Sequence, residues 1–462
     1  MGMNLTSWLE RLAAEAPEEL VTVRRPVEPA AFESAAVVDA LERQRRYPAV
    51  LFEQVRDLEG RPTDCRILNN TFGTFKKIAL ALGLDSDQRM PLLERMLELS
   101  GRSLEPVMGD PAQAPVRHWA WQDDDVDLTR LPMIRHTELD GGPYFTPIVV
   151  SRGAQGRYNV SWNRMQYLDR DHLAIYMSPR HLWSYFAEAE AQGRDLPIAV
   201  VLGHHPAFHL TGALLTPLDA DEYAVAGGVM GAPLELIPSL TFGGELLVPA
   251  EAELVLEGRI LAGQRCVEGP FGEFTGYAGP QRLSWVVEIS AVYGKQRPTI
   301  IDIFPCYSEH MNAHLPIEAS IYQRAKQAVP GVLKTCWVGS GGPFNLIISL
   351  AKKTEGEPMR AALAAISASN FIKHVIVVDE DVDPEDLTQV MWALSSRVQA
   401  DQDLSILKNL QGQVLDPSLR HEIKTSGMVI DATRPLDRPF PRRGEVPGQL
   451  RQSLNLDDYL EG

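Results

Sequence analysis

AELVLEGRIL (252–261), EGPFGEFTGY (268–277) and RLSWVVEISAVYG (282–294) follow one another in a single stretch of the chain. The outer two segments are apolar and rich in β-branched and aromatic residues, as strands are. The middle one cannot continue a helix, because proline lacks a backbone donor and glycine adds backbone freedom. The stretch therefore reads as β structure interrupted by a bent corner that carries Glu268 and Glu273. Far upstream, NVSWNRMQ (159–166) supplies Arg164. Two acids held near one arginine divide their roles. One stays ionised against the guanidinium, while the other, less compensated and partly desolvated, shifts toward the protonated form a proton donor needs. An exposed turn with two solvated glutamates is the plainer alternative.

The same β texture extends from about 115 to 305 in PYFTPIVVSR (143–152), RYNVSWNRMQYL (157–168), LPIAVVLG (196–203) and PTIIDIF (298–304). Glycine and proline break these runs as in an antiparallel barrel or sandwich. Helical spacing intervenes in HLWSYFAEAEAQG (181–193) and DADEYAVAGGVMG (219–231). Before this region, helical SWLERLAAEA (7–16), AAFESAAVVDALERQRR (30–46) and KKIALALGL (76–84) flank the apolar strand YPAVLFEQV (47–55), an α/β unit. After Pro316 helix and strand alternate through IEASIYQRAKQAV, FNLIISLA, PMRAALAAISAS, KHVIVVDEDV and DLTQVMWALSSRV, which predicts a covered, largely parallel sheet. From Thr433 a proline-rich tail leads to GQLRQSLNLDDYLEG, an extended arm with a short helix suited to a neighbouring subunit. The expected units are thus 1–114, 115–308, 309–432 and an arm over 433–462.

A chain of 462 residues, 45% hydrophobic and 23% charged, has the composition of a globular protein of two or three domains. Lys+Arg of 44 against Asp+Glu of 61 gives a net charge of −17, which opposes broad contact with nucleic acid or anionic lipid. A phosphate-bearing ligand would need an arginine, a metal ion or a helix N-terminus. Cys65, Cys266, Cys306 and Cys336 form no C-x-x-C pair, so a reducing, cytoplasmic setting is expected. No run is long enough for a membrane span, and the first residues lack a secretory pattern. Met1-Gly2 with Thr6 fits a loose myristoylation pattern, which a start at Met3 with two added residues explains as simply.

Phosphate-loop, dinucleotide and G-x-S-x-G motifs are absent. VGSGGPFN (338–345) reads as a strand-to-strand turn, and DDDVD (123–127) and DEDVDPED (379–386) read as solvated acidic loops. His310 and His314 have the spacing of a helical metal pair but lack the intervening acid of H-E-x-x-H, so they are read as polar lining of a substrate pocket. Asn159, His181 in SPRHLW (178–183) and Glu222 offer O, N and O ligands of the hardness that suits Mn²⁺ or Mg²⁺.

Taken together, NVSWNRMQ, the SPRH segment, DEYAVAGGVMG and above all EGPFGEFTGYAG resemble the UbiD-like decarboxylases, the group that includes ferulic acid decarboxylase. NNTFGTFKKIALALG (69–83), VIVVDEDVD (375–383) and VIDATRP (429–435) extend the resemblance over nearly the whole chain. It implies an α/β (α+β) architecture: an N-terminal α/β region, a central split β-barrel of the flavin-reductase type, and a C-terminal α/β domain for dimer or hexamer assembly. It implies prenylated FMN, supplied by a separate flavin prenyltransferase, with Mn²⁺ (or Mg²⁺) and K⁺. On the family pattern Asn159, His181 and Glu222 are the metal ligands. Asn159, Ser161, Trp162, Asn163, Arg164, Arg180, His181 and Glu222 contact the cofactor, and Arg164, Glu268 and Glu273 are the catalytic set with Glu273 as proton donor. The implied reaction is reversible, non-oxidative decarboxylation of an aromatic, heteroaromatic or α,β-unsaturated acid.

Two departures from the family stand out. Met428 occupies the place of a lysine that precedes the last strand, although Lys424 lies nearby, and Arg180 stands where some relatives have glutamine. The segment CYSEHMNAHLPIEAS (306–320) is polar rather than cinnamate-like, which points to a heteroaromatic or polar aromatic acid with His310, Asn312 and His314 as contacts. Two other readings are a metal-dependent hydrolase with Glu268 or Glu273 as base, and a flavin-binding or assembly protein without turnover.

Overall fold

In the computed structural model, which describes residues 3–339, 342–420, 423–444, 446–455 and 458–460, the central region forms a nine-stranded sheet. Its order is Tyr144–Phe145, Met165–Tyr167, His172–Ile175, Arg282–Gly294, Leu254–Glu268, Leu196–Val201, Ile148–Arg152 and Tyr158–Trp162, with Trp119–Gln122 paired to Arg282–Gly294 off this path. Neighbouring strands are antiparallel throughout. The last strand in this order and the second are joined by Asn163 and Arg164 alone. Three Cα steps reach at most about 11 Å, whereas six inter-strand gaps laid flat would separate those strands by about 29 Å. The sheet must roll until its ends meet, which makes a split barrel and puts Arg164 at the seam.

Rolling is eased where the two longest strands cross. Their register shifts between Glu257 and Gly258, and a Cβ on Gly258 would lie 2.0 Å from the Glu288 carbonyl oxygen, so only glycine allows the approach. Inside the roll, Phe145, Val149, Ile198, Val200, Leu256 and Val287 form an apolar core. Against the outside of the Tyr158–Trp162 strand lies the helix Glu222–Met230, capped by Asp221, whose carboxylate accepts from Tyr223 and Ala224 N–H. Every residue of this helix is buried, which fits its apolar composition on all faces and leaves Glu222 as a buried acid on its first turn.

The N-terminal layer is a sheet in the order Leu20–Val23, Ala49–Phe52, Arg66–Asn69, Thr299–Ile301. Its fourth strand comes from the far end of the barrel sequence, so the two regions share structure. The C-terminal sheet runs Val332–Trp337, Asn345–Leu350, His374–Asp379, Lys424–Ala432, Leu404–Gln411. Its two inner pairings are parallel and its two outer ones antiparallel, so the expected largely parallel sheet is instead mixed. DEDVDPED is likewise not simply solvated: Arg397 Nη1 lies 2.6 Å from Asp379 and Nη2 lies 2.7 Å from Asp381, tying the strand end to the following helix. The arm carries a short helix, Gly448–Ser453. Among the described residues no helix is long and apolar enough to cross a membrane. The Met1-Gly2 motif and the middle of VGSGGPFN lie outside the described residues.

Candidate active site

Arg164 leaves the seam pointing into the barrel mouth, over the rings of Tyr176 and Phe271 at 4.6 and 4.9 Å. Its Nε donates to Glu268 Oε1 at 2.7 Å and its Nη2 to Glu268 Oε2 at 3.1 Å, a two-pronged charge-assisted pair. The remaining Nη1 donates to Glu273 Oε1. Glu268, at the end of the Leu254–Glu268 strand, is completely buried, and Glu273 is nearly so. Burial pushes the Glu273 carboxyl above the usual range even though Arg164 pulls it down. The two acids are therefore unlike: Glu268 takes two guanidinium bonds and Glu273 takes one.

The corner between them is held from all sides. Phe271–Gly272 pairs with Ala278–Gly279, and Glu273 N–H donates to the Tyr277 carbonyl at 3.0 Å. Gly269 N–H donates to Gln166 Oε1 at 2.8 Å, and the Tyr144 hydroxyl lies 3.0 Å from the same oxygen and 3.4 Å from Glu268 Oε1. Behind the corner, His136 Nε2 lies 3.0 Å from Asp302 Oδ2, and Asp140 accepts from the N–H groups of His136 at 2.8 Å and of Gly272 at 3.4 Å. Burial alone would lower the His136 pKa, but Asp302 and Asp140 outweigh it and push it up to about 9.

That network makes stability pH-dependent. Because the folded pKa lies above the ordinary value near 6.5, the contribution is complete below about pH 6.5 and is lost as pH rises through about 9, on the order of 3 kcal/mol in all. Urea midpoints measured from pH 6 to 10 should fall across this window in the unmodified protein. In His136→Gln they should change much less over the same window.

At the other end of the same cavity, Glu222 gathers the predicted metal ligands. Asn159 Nδ2 donates to Glu222 Oε2 at 2.8 Å, His181 Nδ1 lies 3.0 Å from Glu222 Oε1, and Thr216 donates its hydroxyl to Oε1. Ser161 donates to Asn159 Oδ1 at 2.9 Å, and Asn163 Nδ2 donates to Ser161 Oγ at 2.9 Å. Turning the Asn159 amide exchanges its NH₂ for its oxygen, and the set then offers amide O and imidazole N each within contact of the Glu222 carboxylate. Such donors fit a divalent ion of the Mn²⁺ or Mg²⁺ kind. Arg180 immediately precedes the helix that begins at His181 and lines the cavity together with Ser161, Trp162 and Asn163.

The cavity, about 460 Å³, joins these ends and is lined in part by residues from the C-terminal region. His310 and His314 line it. Asn312 does not: its amide donates to the Phe72 carbonyl at 3.0 Å on the far side of the helix, so the expected substrate contact is corrected to a structural one. Neither Met428 nor Lys424 is among the lining residues. Phe371, Gln413 and Leu415 do line the cavity, and no sequence motif had marked them. Phe274, which also lines it, lies inside the quoted acidic corner.

Three family models match consecutive parts of the chain: the UbiD 3-octaprenyl-4-hydroxybenzoate carboxy-lyase N-terminal domain over 11–97, its Rift-related domain over 109–308 and its C-terminal domain over 310–432. The chain is 32% identical over 419 residues to anhydromevalonate phosphate decarboxylase of Methanothermobacter thermautotrophicus, covering 87% of this chain and 95% of that one. It is 32% identical over 458 residues to phenolic acid decarboxylase of Bacillus subtilis, covering 94% and 93%. Among solved structures, the UbiD-class enzyme HmfF from Pelotomaculum thermopropionicum in complex with FMN is 35% identical with a TM-score of 0.90, covering 99% of this chain and 100% of that one. An evolved dimeric form of HmfF in complex with prFMN is 34% identical with a TM-score of 0.86, at the same coverage.

Proposed function

The chain belongs to the UbiD family of carboxy-lyases, and from that premise we propose that it removes CO₂, reversibly and without net oxidation, from an aromatic, heteroaromatic or α,β-unsaturated acid with the help of prenylated FMN. One observation carries the reading: a buried arginine forked onto one acid and touching a second, in a cavity whose other end gathers Asn159, His181 and Glu222. In this reading Asn159, His181 and Glu222 would hold Mn²⁺ or Mg²⁺, with K⁺ as a second ion, and Arg164, Arg180, Ser161, Trp162 and Asn163 would complete the cradle for the cofactor. When bound, prenylated FMN supplies the electron sink that accepts the pair released as the carbon–carboxylate bond breaks.

The chain's own residues supply the rest. Arg164 keeps its charge through its fork on Glu268 and steadies negative charge that develops beside it. Glu273, raised toward the protonated form by burial, delivers the proton that replaces CO₂ and takes it back in the carboxylation direction. Phe271 and Tyr176 cover the guanidinium and keep water from competing for it. Assembly through the C-terminal region and the arm is part of the proposal, because Met391 and Ile406 in the first and Leu450 in the second present apolar surface.

The test is co-expression with a flavin prenyltransferase and incubation with a panel of unsaturated and aromatic acids in D₂O. Deuterium at the ring or vinyl carbon is expected with at least one acid. A protein that carries the modified flavin yet exchanges with none would overturn the proposal. Prolonged chelation, or Glu222→Gln, should release the flavin and lose exchange together, with Mn²⁺ and freshly supplied prenylated flavin restoring both in the unmodified protein only; flavin retention after dialysis is a readout separate from activity.

A further inference from the structure

His310 and His314 line the cavity next to Phe274, whose ring is 5.8 Å from that of His310 and which follows Glu273 in the chain. Geometry sets the tautomer of both rings. His310 Nδ1 meets the Pro305 carbonyl oxygen, and His314 Nδ1 lies 2.7 Å from the His310 carbonyl oxygen. A carbonyl oxygen only accepts, so each Nδ1 carries the proton. Burial, assisted by His314, pushes His310 down to about 3, and burial lowers His314 too, so neither ring is an imidazolium near neutrality.

A neutral imidazole protonated at Nδ1 leaves Nε2 as a lone-pair acceptor. Neither Nε2 has a hydrogen-bond partner within the described chain, and neither is among the side-chain atoms sealed away without one. Both therefore open on the cavity that the rings line. The rings lie 5.0 Å apart, so two acceptors stand side by side in a cavity also lined by the apolar Phe274, Phe371 and Ile303 and by the polar Gln413.

Resting on the decarboxylase reading, we infer that His310 and His314 select acids whose ring carries a hydrogen-bond donor, either a ring N–H as in pyrrole- and indole-type carboxylates or a ring O–H as in phenolic ones. A furan oxygen or a methoxy group in the same place sets lone pair against lone pair and leaves a desolvated acceptor unpaired. Sites of this kind reject an analogue that lacks the donor more strongly than apolar pockets reject one of slightly wrong size.

The experiment uses the holoenzyme and near-isosteric pairs: pyrrole-2-carboxylate against furan-2-carboxylate and N-methylpyrrole-2-carboxylate, and 4-hydroxybenzoate against 4-methoxybenzoate. In whichever series is turned over, the donor-bearing acid should lead in kcat/KM by about a hundredfold, and the active series identifies N–H or O–H as the donor. His310→Phe and His314→Phe should each narrow that preference to within about tenfold, an outcome that generalised damage does not produce. If the unmodified protein turns over furan or methoxy acids as well as their partners, or turns over cinnamates alone, the inference is overturned and the decarboxylase proposal stands. If it exchanges deuterium with no acid of these or of a cinnamate series, the proposal itself fails.

Discussion

Glu273→Gln in the flavin-loaded protein is expected to cut decarboxylation and deuterium exchange by about 10³- to 10⁴-fold while leaving the flavin spectrum and the fold unchanged. Glutamine matches the shape of the acid, and its amide oxygen can still accept from Arg164 Nη1, so the corner keeps its geometry. What it loses is a transferable proton. Position makes that loss severe, because Glu273 is nearly buried and Arg164, its nearest cationic partner, is held by the fork on Glu268. The direction of the pH effect follows. Decarboxylation needs Glu273 protonated, and its pKa is raised by burial, so the rate falls as pH rises through that raised value. The carboxylation direction needs the carboxylate and is favoured by the opposite change. Glu273→Gln should abolish both limbs, since nothing at 273 then titrates. Exchange that survives within tenfold of the unmodified protein would remove Glu273 as the donor.

The pattern of what could be read from the chain follows the range of the interactions involved. The acidic corner was legible because its chemistry is local: glycine and proline impose the bend, and the acids flank it. The two residues Asn163 and Arg164 were quoted as part of a motif, but their role as the seam of the barrel depends on strand order, and that is settled by pairings between residues far apart in the chain. His310 and Asn312 were read together because both are polar. On a helix, however, residues two apart face opposite ways, whereas His310 and His314, four apart, share a face. The C-terminal sheet was expected to be largely parallel because helix and strand alternate, and that alternation does not distinguish the antiparallel strands Val332–Trp337 and Leu404–Gln411 at its edges. Phe371, Gln413 and Leu415 could not be marked in advance, since each reaches the cavity only through the packing of the C-terminal region against the barrel.

Arg164→Ala should destabilise the protein by about 3–5 kcal/mol, a loss far beyond that of a surface arginine. The reason is the partner left behind. Glu268 has no solvent exposure, and without the guanidinium it is either a charge in an apolar site or an acid that must take up a proton. Arg164→Lys should recover only part of the loss, because a point charge cannot reproduce the two-pronged contact at 2.7 and 3.1 Å or lie flat over Tyr176 and Phe271. The decisive comparison is Arg164→Ala combined with Glu268→Gln. Removing the buried charge along with its partner should restore much of the stability lost in the single mutant, giving a coupling energy of about 2–3 kcal/mol in a double-mutant cycle by urea denaturation. Additive losses would mean that the arginine stabilises the fold by packing against the two rings.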